Sequence, residues 1–413
     1  ISSIIEEQKG LPHSITHFDE HVDKVVPYEE MGMPTEEITL AETLKKGGYH
    51  TVHIGKWHLG RYNGMAAKDQ GFDESLLMHS GMYLPEDDPN VVNSKQDFDP
   101  IDKFLWKGMQ YAASFNSGDV FKPGGYLTDY YTDEAVKTIA ANKNRPFFLY
   151  LAHWAPHTPL QATKADYDAL SHIKNHRLRV YAAMIRSLDR GVGRVMEALK
   201  ANGIDDNTLV IFTSDNGGAG YIGLPEINQP YRGWKLTFFE GGVHVPFFMR
   251  WPAKIKPGTT FDKPVHHFDI YSTAVGAAKT TMPTDRKMDG VDLLPFVPGI
   301  EGTTPGKPGQ IPHQKLFWRG GNNHVVLADG WKLQRDSTAG KIWLFDMKAD
   351  PTEQNNMVEQ EPERVKTMLA MLDKHNAEQK EPAWPSLLEA VVRVDKTVDA
   401  PVEKGDEYIY CAN

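Results

Sequence analysis

The chain has 413 residues, of which 40% are hydrophobic and 24% are charged, and its formal net charge is −10. The length allows a large core and two or three domains, and the composition is typical of a globular protein. The negative charge argues against a nucleic-acid partner, and no apolar run is long enough to span a bilayer. The single cysteine, Cys411, excludes an internal disulfide and a cysteine-based metal site, so the compartment remains open.

The first predicted helix–strand unit ends in a basic loop. A helix that stops at Gly47 or Gly48 precedes residues 51–54, whose β-favouring side chains predict a buried strand. A glycine then allows a sharp turn, and Lys56 and His58 follow. A lone Lys-x-His loop is usually an ordinary surface feature. Ligands bind at the carboxyl edge of open α/β sheets, however, which makes both residues candidates for a site.

Residues 61–125 are rich in glycine, proline, aspartate and aromatic residues and show no sustained periodicity. Local packing beneath loops is the favoured interpretation of their apolar side chains, and a wall of a substrate site is the alternative. His79, Asp87 and Asp88 are interpreted as solvated loop residues.

The middle of the chain repeats the pattern of a buried strand followed by a polar loop. A helix is predicted over 127–141, and the continuous apolar run 147–152 predicts a strand covered on both faces. This run leads into a proline-bounded loop that holds His153 and His157. We interpret His153 as structural and keep His157 as a candidate.

A long helix over about 178–201 and a buried strand over 209–213 come next, and the strand ends at Asp215 and Asn216. Their hard oxygen atoms suit Ca²⁺ or Mg²⁺ better than Zn²⁺. An Asx turn is the alternative interpretation, and two ligands cannot fill a calcium shell. A metal site here therefore needs further ligands from elsewhere.

Alternating strands and helices predict an α/β fold, with a mostly parallel or mixed central sheet flanked by helices. Its polar loops should converge at one edge. The segment 300–312, dense in proline and glycine, predicts a linker between a domain over 1–299 and a smaller α+β domain over 313–413. The smaller domain should combine an antiparallel sheet and one helix, from β-like runs and a helical run at 315–319, 324–327, 341–345 and 362–379.

Four basic residues in these loops could act together on a bound anion. Lys235 precedes a Gly-Gly turn and a further apolar strand near residues 247–249. Together with Lys56, His58 and His157 it would supply two cations and two titratable donors around a bound anion. Such groups neutralise the oxygens of a sulfate or phosphate ester and protonate the departing alcohol.

Several motifs resemble one family when read together. The sequences GYHTVHIGKWHLG (48–60), APHTPLQA (155–162), LVIFTSDNGG (209–218) and KLTFFEGGVHVP (235–246) resemble type I sulfatases, the formylglycine-dependent members of the alkaline-phosphatase superfamily. TLAETLKKGGY, DGVDLLPF, LFDMKADPTEQNN and DEYIY extend the resemblance over nearly the whole chain. The resemblance implies an alkaline-phosphatase-like fold.

The resemblance also assigns roles to the basic residues. It implies that Lys56 contacts the sulfate and the nucleophile and that His58 works at the hydrated aldehyde of the nucleophile. His157 would be a sulfate ligand and the proton donor to the leaving group, and Lys235 a second sulfate-binding cation. The family further implies that Asp215 and Asn216 are calcium ligands, with Ca²⁺ preferred to Mg²⁺.

The sequence departs from the family at its nucleophile. The formylglycine arises from a Cys- or Ser-x-Pro-x-Arg motif, and no Cys or Ser in this chain stands two residues before a proline. The paired aspartates that complete the calcium shell are also not recognisable before residue 47. We therefore expect both features upstream of Ile1, in a longer protein, and expect these 413 residues alone to be inactive.

The resulting hypothesis is a sulfuric ester hydrolase that acts on a small-molecule or oligosaccharide sulfate ester, with carbohydrate favoured. A phosphoester or phosphonate hydrolase of the same superfamily is one alternative. A catalytically silent protein that binds sulfated glycans, or a truncated fragment, is the other. The resemblance favours a periplasmic or secreted location, whereas the oligomeric state and the exact substrate stay open.

Overall fold

The central feature of the fold is a five-stranded mixed sheet with the loops of interest at one edge. The computed structural model describes residues 16–298 and 311–412. The strands in these ranges are β1 (Thr16–His17), β2 (His50–Gly55), β3 (Glu74–Met78), β4 (Val91–Ser94), β5 (Ala113–Phe115), β6 (Val120–Phe121), β7 (Phe147–Ala152), β8 (Leu160–Thr163), β9 (Val210–Thr213), β10 (Phe247–Arg250), β11 (Lys315–Gly320), β12 (Asn323–Ala328), β13 (Trp331–Asp336), β14 (Lys341–Asp346), β15 (Leu388–Arg393) and β16 (Tyr408–Ala412).

Helices cover and connect these strands. They are α1 (Leu40–Lys46), α2 (Pro100–Gly108), α3 (Leu127–Asn142), α4 (Lys164–Ala169), α5 (His176–Ala201), α6 (Glu240–Val243), α7 (Asp269–Ala278) and α8 (Pro362–Ala377). Short 3₁₀ turns lie at Asp19–Lys24, Tyr28–Glu30, Ala67–Asp69, Asp205–Asn207, Gly220–Ile222 and Leu294–Phe296. Among the described helices, none is both long and apolar enough to traverse a bilayer.

The central sheet has the order β6-β5-β3-β2-β7. Strand β2 runs parallel to both β3 and β7, and Gly55 at its end lies opposite Leu77 and Ala152. Because the carboxyl ends of parallel strands lie at the same edge, the loops after β2, β3 and β7 leave the sheet side by side. The predicted convergence of loops is confirmed for these strands.

The main core lies between this sheet and helices α3 and α5. Both helices were predicted, and Asn175 caps α5 by accepting a hydrogen bond from the amide of Leu178. The inward stripe of α5 carries the fully buried Val180 and Met184, as its 3.6-residue periodicity predicts. These side chains pack in one cluster with Ile54 of β2, which fixes the position of the strand that precedes the basic loop.

Two predictions about the sheet are wrong. Strand β9 does not join the central sheet but pairs antiparallel with β10 in a separate two-stranded sheet. Strand β7 was predicted to be covered on both faces, but Tyr150 is 45% exposed and no residue of the strand is fully buried. Phe212 of β9, which was predicted as a buried strand, is likewise 36% exposed. Apolar sequence runs indicated strands correctly but not their neighbours.

A smaller antiparallel sheet with the order β11-β12-β13-β14 carries helix α8, as predicted. Strand β13 was missed, because its sequence is largely polar although Lys332 and Gln334 are buried. The linker expected at 300–312 lies, apart from Ile311 and Pro312, outside the described residues.

Other elements without a clear sequence pattern were also missed. Residues 61–125 contain strands β3 to β6 and helix α2, although no periodicity indicated them. Strand β15 pairs with both β1 and β16, and the three strands form a separate sheet with the order β1-β15-β16. Their register links the two ends of the described chain, with Thr16 opposite Glu389.

Candidate functional site

The loop after β2 leaves the sheet directly beside the end of β7. The amide of Lys56 donates to the carbonyl oxygen of Ala152 at 2.9 Å. Gly55 has a φ of 113°, and a Cβ there would lie 2.0 Å from the same oxygen, so only glycine fits. His53 lies beneath the turn, with Nε2 3.0 Å from the carbonyl oxygen of Lys56. These contacts place Lys56 between two strand ends.

The loop after β7 holds His157 against an aromatic wall. The ring of Trp154 stacks on His157 with centroids 3.9 Å apart, and the Nζ of Lys56 lies 4.9 Å from the Trp154 ring. The hydroxyl of Tyr83 donates to the carbonyl oxygen of His157 at 2.9 Å. Trp154 therefore brings Lys56 and His157 to one place, although they are far apart in sequence.

The hydrogen bonds of His157 define which of its nitrogens faces the pocket. Its Nδ1 lies 2.7 Å from the carbonyl oxygen of Thr158, which can only accept, so Nδ1 carries the hydrogen. Burial, and then the charge of Lys235, lower the pKa of His157 to about 4. The ring is thus neutral at pH 7, and its Nε2 is an acceptor.

The donor to this Nε2 is Lys235, whose Nζ lies 3.3 Å away. Its backbone amide donates to the carbonyl oxygen of Gly218 at 2.9 Å. The side chain of Asn228 closes the same loop, because its amide nitrogen donates to Gly218 and Gly233. The structure therefore joins the loop after β9 to the loop after β7 through a lysine and a histidine.

The pocket contains two ammonium groups in a largely buried environment. Burial lowers the pKa of Lys56 and of Lys235, and the charge of Lys56 lowers the pKa of Lys235 further. The carboxylate of Asp215 opposes both shifts, but no carboxylate of the described residues lies within 4.0 Å of either Nζ. A buried cation without a close partner is costly, so the pocket favours an added anion.

Asp215 and Asn216 lie in the turn after β9. The charge of Asp215 raises the pKa of Lys56, His157 and Lys235 against the lowering effect of burial, so its carboxylate is within electrostatic range of all three groups. The amide nitrogen of Asn216 donates to the carbonyl oxygen of Gly217 at 2.8 Å, so its Oδ1 stays available as a ligand. No cluster of three or more His, Cys, Asp or Glu residues occurs in the described ranges. These two oxygens alone do not form the shell of six to eight that Ca²⁺ takes.

His58 lies on the open side of this group. It is an exposed residue with a φ of 58°. Partial burial, and then the charges of Lys56, Lys235 and Arg61, lower its pKa. The structure thus brings His58 into the same electrostatic neighbourhood as the other predicted residues.

Sequence reasoning missed two aromatic residues that build the pocket. Trp154 stands between the two histidines of its loop, and an aromatic residue amid basic ones was the available signal. Tyr83 is completely buried and lies 74 positions before His157, in the segment without periodicity. His153 was interpreted as structural. Its ring contacts Tyr131, and its buried Nδ1 has no partner among the described residues.

Family models and curated relatives agree on one family. The family model described as Sulfatase matches residues 8–280, and the one described as N-sulphoglucosamine sulphohydrolase, C-terminal, matches residues 233–381. An uncharacterized sulfatase of Escherichia coli, YdeN, is 34% identical over 296 residues, which are 70% of this chain and 50% of that protein. The N-acetylgalactosamine-6-sulfatase of Mus musculus is 33% identical over 313 residues, 74% of this chain and 55% of that protein.

A solved structure extends the similarity to the fold. The crystal structure of Ps i-CgsB in complex with k-i-k-neocarrahexaose has a TM-score of 0.72 and 28% identity, covering 87% of this chain and 79% of that one. The chain spans only 50% and 55% of the length of the two curated relatives named above.

Proposed function

The chain belongs to the sulfatase family, and we propose that the pocket of Lys56, His157 and Lys235 binds a sulfate ester for hydrolysis. The observation that carries this proposal is the 3.3 Å contact between Nζ of Lys235 and Nε2 of His157. It joins a cation to a neutral ring, near a second cation, and no carboxylate of the described residues lies within 4.0 Å of either ammonium group. A sulfate group offers three oxygens that can accept from these donors.

Bound sulfate would change the protonation of the pair. A negative charge beside His157 favours the imidazolium form and so raises its pKa. The ring could then take a proton at Nε2 and transfer it to the departing alkoxide, while Lys56 and Lys235 neutralise the sulfate oxygens. The S–O bond to the alcohol breaks. Overall, one ester and one water give one alcohol, one sulfate dianion and one proton.

Two groups implied by the family complete this chemistry. We propose Asp215 and Asn216 as two of the oxygen ligands of a calcium ion. The family's formylglycine supplies the nucleophile, and these 413 residues contain no Cys- or Ser-x-Pro-x-Arg sequence from which it is made. We propose that His58, an exposed residue of the same loop as Lys56, assists at that nucleophile.

The proposed substrate is a sulfated carbohydrate. The relatives support this class, since one is an N-acetylgalactosamine-6-sulfatase and another was crystallised with a neocarrahexaose.

We also propose that the α/β domain ends near residue 299 and that residues 313–413 form the second domain.

The proposal is tested with the protein expressed from its full reading frame. Sulfate release from galactose 6-sulfate and from 4-nitrophenyl sulfate is measured by ion chromatography, beside phosphate release from 4-nitrophenyl phosphate. We expect the sulfate esters to be turned over faster. Faster hydrolysis of the phosphate ester would favour a phosphoester hydrolase instead. Binding of both sulfates without turnover would favour a silent binding protein.

A further inference from the structure

A second basic group lies next to the proposed sulfate pocket. Arg61 follows His58 in the loop after β2, and one of its terminal nitrogens donates to the carbonyl oxygen of His79 at 2.9 Å. His79 follows β3, whose carboxyl end lies beside that of β2. The guanidinium and the imidazole thus stand at the sheet edge that carries the pocket.

Within the described ranges, neither of these side chains has an acidic partner. Arg61 is half-buried, and no carboxylate of the described residues comes within 4.0 Å of it. Its hydrogen bond to His79, the one that its side chain makes within the described ranges, uses a single N–H of the five that a guanidinium offers. Partial burial, and then the charge of Arg61, lower the pKa of His79. A permanently charged guanidinium that is half-buried and has no carboxylate close to it is suited to bind an external anion.

The surface beside Arg61 is aromatic and exposed. Tyr62 is 51% exposed and Tyr28 is 64% exposed, and their ring centroids lie 6.5 Å apart at an interplanar angle of 73°. The side-chain amide of Asn63 donates to the carbonyl oxygen of Glu29 at 3.0 Å, which holds the two tyrosine segments together. Amphipathic rings of this kind suit a sugar, which has both apolar C–H faces and hydroxyl groups.

We propose that Arg61 binds a second anionic group of the substrate, a sulfate or a carboxylate, while Tyr62 and Tyr28 contact the adjoining sugar ring. The inference rests on the proposed function and narrows its substrate to a carbohydrate with two anionic groups. A purely structural role for Arg61 would require only its bond to His79. The free N–H groups and the lack of an acidic partner are what favour a binding role.

Three probes separate the possible ligands. They are galactose 6-sulfate with one anionic group, galactose 2,6-disulfate with two sulfates, and glucuronyl-N-acetylgalactosamine 6-sulfate with a sulfate and a carboxylate. Stopped-flow titration of the full-reading-frame protein gives dissociation constants before any ester is hydrolysed. We expect tighter binding of the disulfate, of the uronate disaccharide, or of both. The probe that binds more tightly identifies the second anionic group as a sulfate or a carboxylate.

Arg61→Gln should remove this preference. Loss of a charge-assisted hydrogen bond should weaken binding of the preferred probe about tenfold to a hundredfold, and binding of galactose 6-sulfate less than about threefold. Arg61→Lys, which keeps the charge but loses the planar fork, should retain part of the preference. The control is Arg145→Gln, an exposed arginine before β7 at the opposite edge of the sheet, which should change neither constant.

Several outcomes would overturn the inference. The first is that the wild-type protein binds all three probes equally well. The second is that Arg61→Gln keeps the wild-type preference for a probe with two anionic groups. The third is that both Arg61 variants lose affinity equally for all probes and also unfold at a lower urea concentration. A preference that depends on Arg61 in a protein that hydrolyses no ester would support the inference and contradict the proposed function. Failure to bind any of the three probes would contradict both.

Discussion

The Nζ of Lys332 lies 2.7 Å from Oε1 of Glu240, deep between the smaller sheet and the turn that follows Lys235. Glu353 completes a buried triad, with Oε1 2.9 Å from the same Nζ and Oε2 accepting from the amide of Glu240 at 2.6 Å. Burial alone would raise the pKa of Glu240, but the charge of Lys332 holds it at about 2. The small sheet therefore fixes helix α6.

This triad extends to the proposed site through the backbone. The amide of Gly217 donates to the carbonyl oxygen of Gly242 in α6 at 2.9 Å. Gly217 directly follows the turn of Asp215 and Asn216, so α6 supports that turn. The C-terminal sheet thus contributes to the pocket by holding its supports, not by lining it.

Replacing Lys332 by methionine should destabilise the protein strongly. The variant removes the cation that the buried Glu353 and the largely buried Glu240 share, and leaves Glu240 only His244, whose Nδ1 lies 2.8 Å from its Oε2. Breaking a buried ion pair in this way costs about 3–5 kcal/mol. Urea denaturation measures the effect. Lys348→Met, at an exposed position of the same domain, should change the unfolding free energy by less than about 0.5 kcal/mol. Equal midpoints for the two variants would show that the triad does not stabilise the fold.

Two glycine-to-alanine variants should have opposite effects. A Cβ at Gly217 would lie 1.8 Å from the carbonyl oxygen of Gly241, so Gly217→Ala must displace the turn, at a cost of about 1–3 kcal/mol. A Cβ at Gly193 of α5 would meet nothing within 4 Å. Gly193→Ala should stabilise the protein by about 0.5–1 kcal/mol, because alanine is the better helix former. Thermal unfolding measures whether Gly217→Ala lowers the midpoint and Gly193→Ala raises it. A lower midpoint for Gly193→Ala would contradict the prediction.

Lys235→Met should weaken binding of galactose 6-sulfate about tenfold to a hundredfold, because it removes one charge-assisted donor. Lys235→Arg keeps the positive charge and should lose less affinity. Dissociation constants from stopped-flow titration measure both effects. Lys315→Met, at an exposed position on strand β11, serves as control and should bind as the wild type does. Unchanged binding in Lys235→Met would exclude Lys235 from the anion site.

The value of kcat/KM should begin to fall at a lower pH than the titration of an ordinary lysine would produce. Burial lowers the pKa of Lys56 and Lys235 below 10.5, and anion binding needs their protonated forms. As the pH rises through the lowered pKa values, both cations are lost and kcat/KM should decrease. In Lys235→Arg one titrating group is gone, so the decrease should be less steep. A constant kcat/KM up to pH 10.5 would argue against a role for these lysines.

The local parts of this site could be predicted from the sequence. The runs before Lys56 and His157 are apolar and β-favouring, and glycine or proline ends them, so strand and loop are encoded within a few residues. The parallel direction of β2 and β7 could be expected from the long connection between them, whereas their direct pairing is a finding of the structure. Helices α3 and α5 were predicted because their sequence pattern is likewise local.

The neighbours of each strand and the partners of each charged residue became known only from the tertiary structure, because they depend on contacts between distant segments. An apolar run states that a strand is buried or paired but not by which neighbour, which is why β9 was assigned to the wrong sheet. Lys332 and Arg61 look like surface residues in sequence. Only the fold shows that Lys332 has two carboxylate partners and that Arg61 has none among the described residues. The sequence determined which chemical groups end the strands. Long-range packing decided which of them meet, because the energy of a charge depends on neighbours that lie far away in the chain.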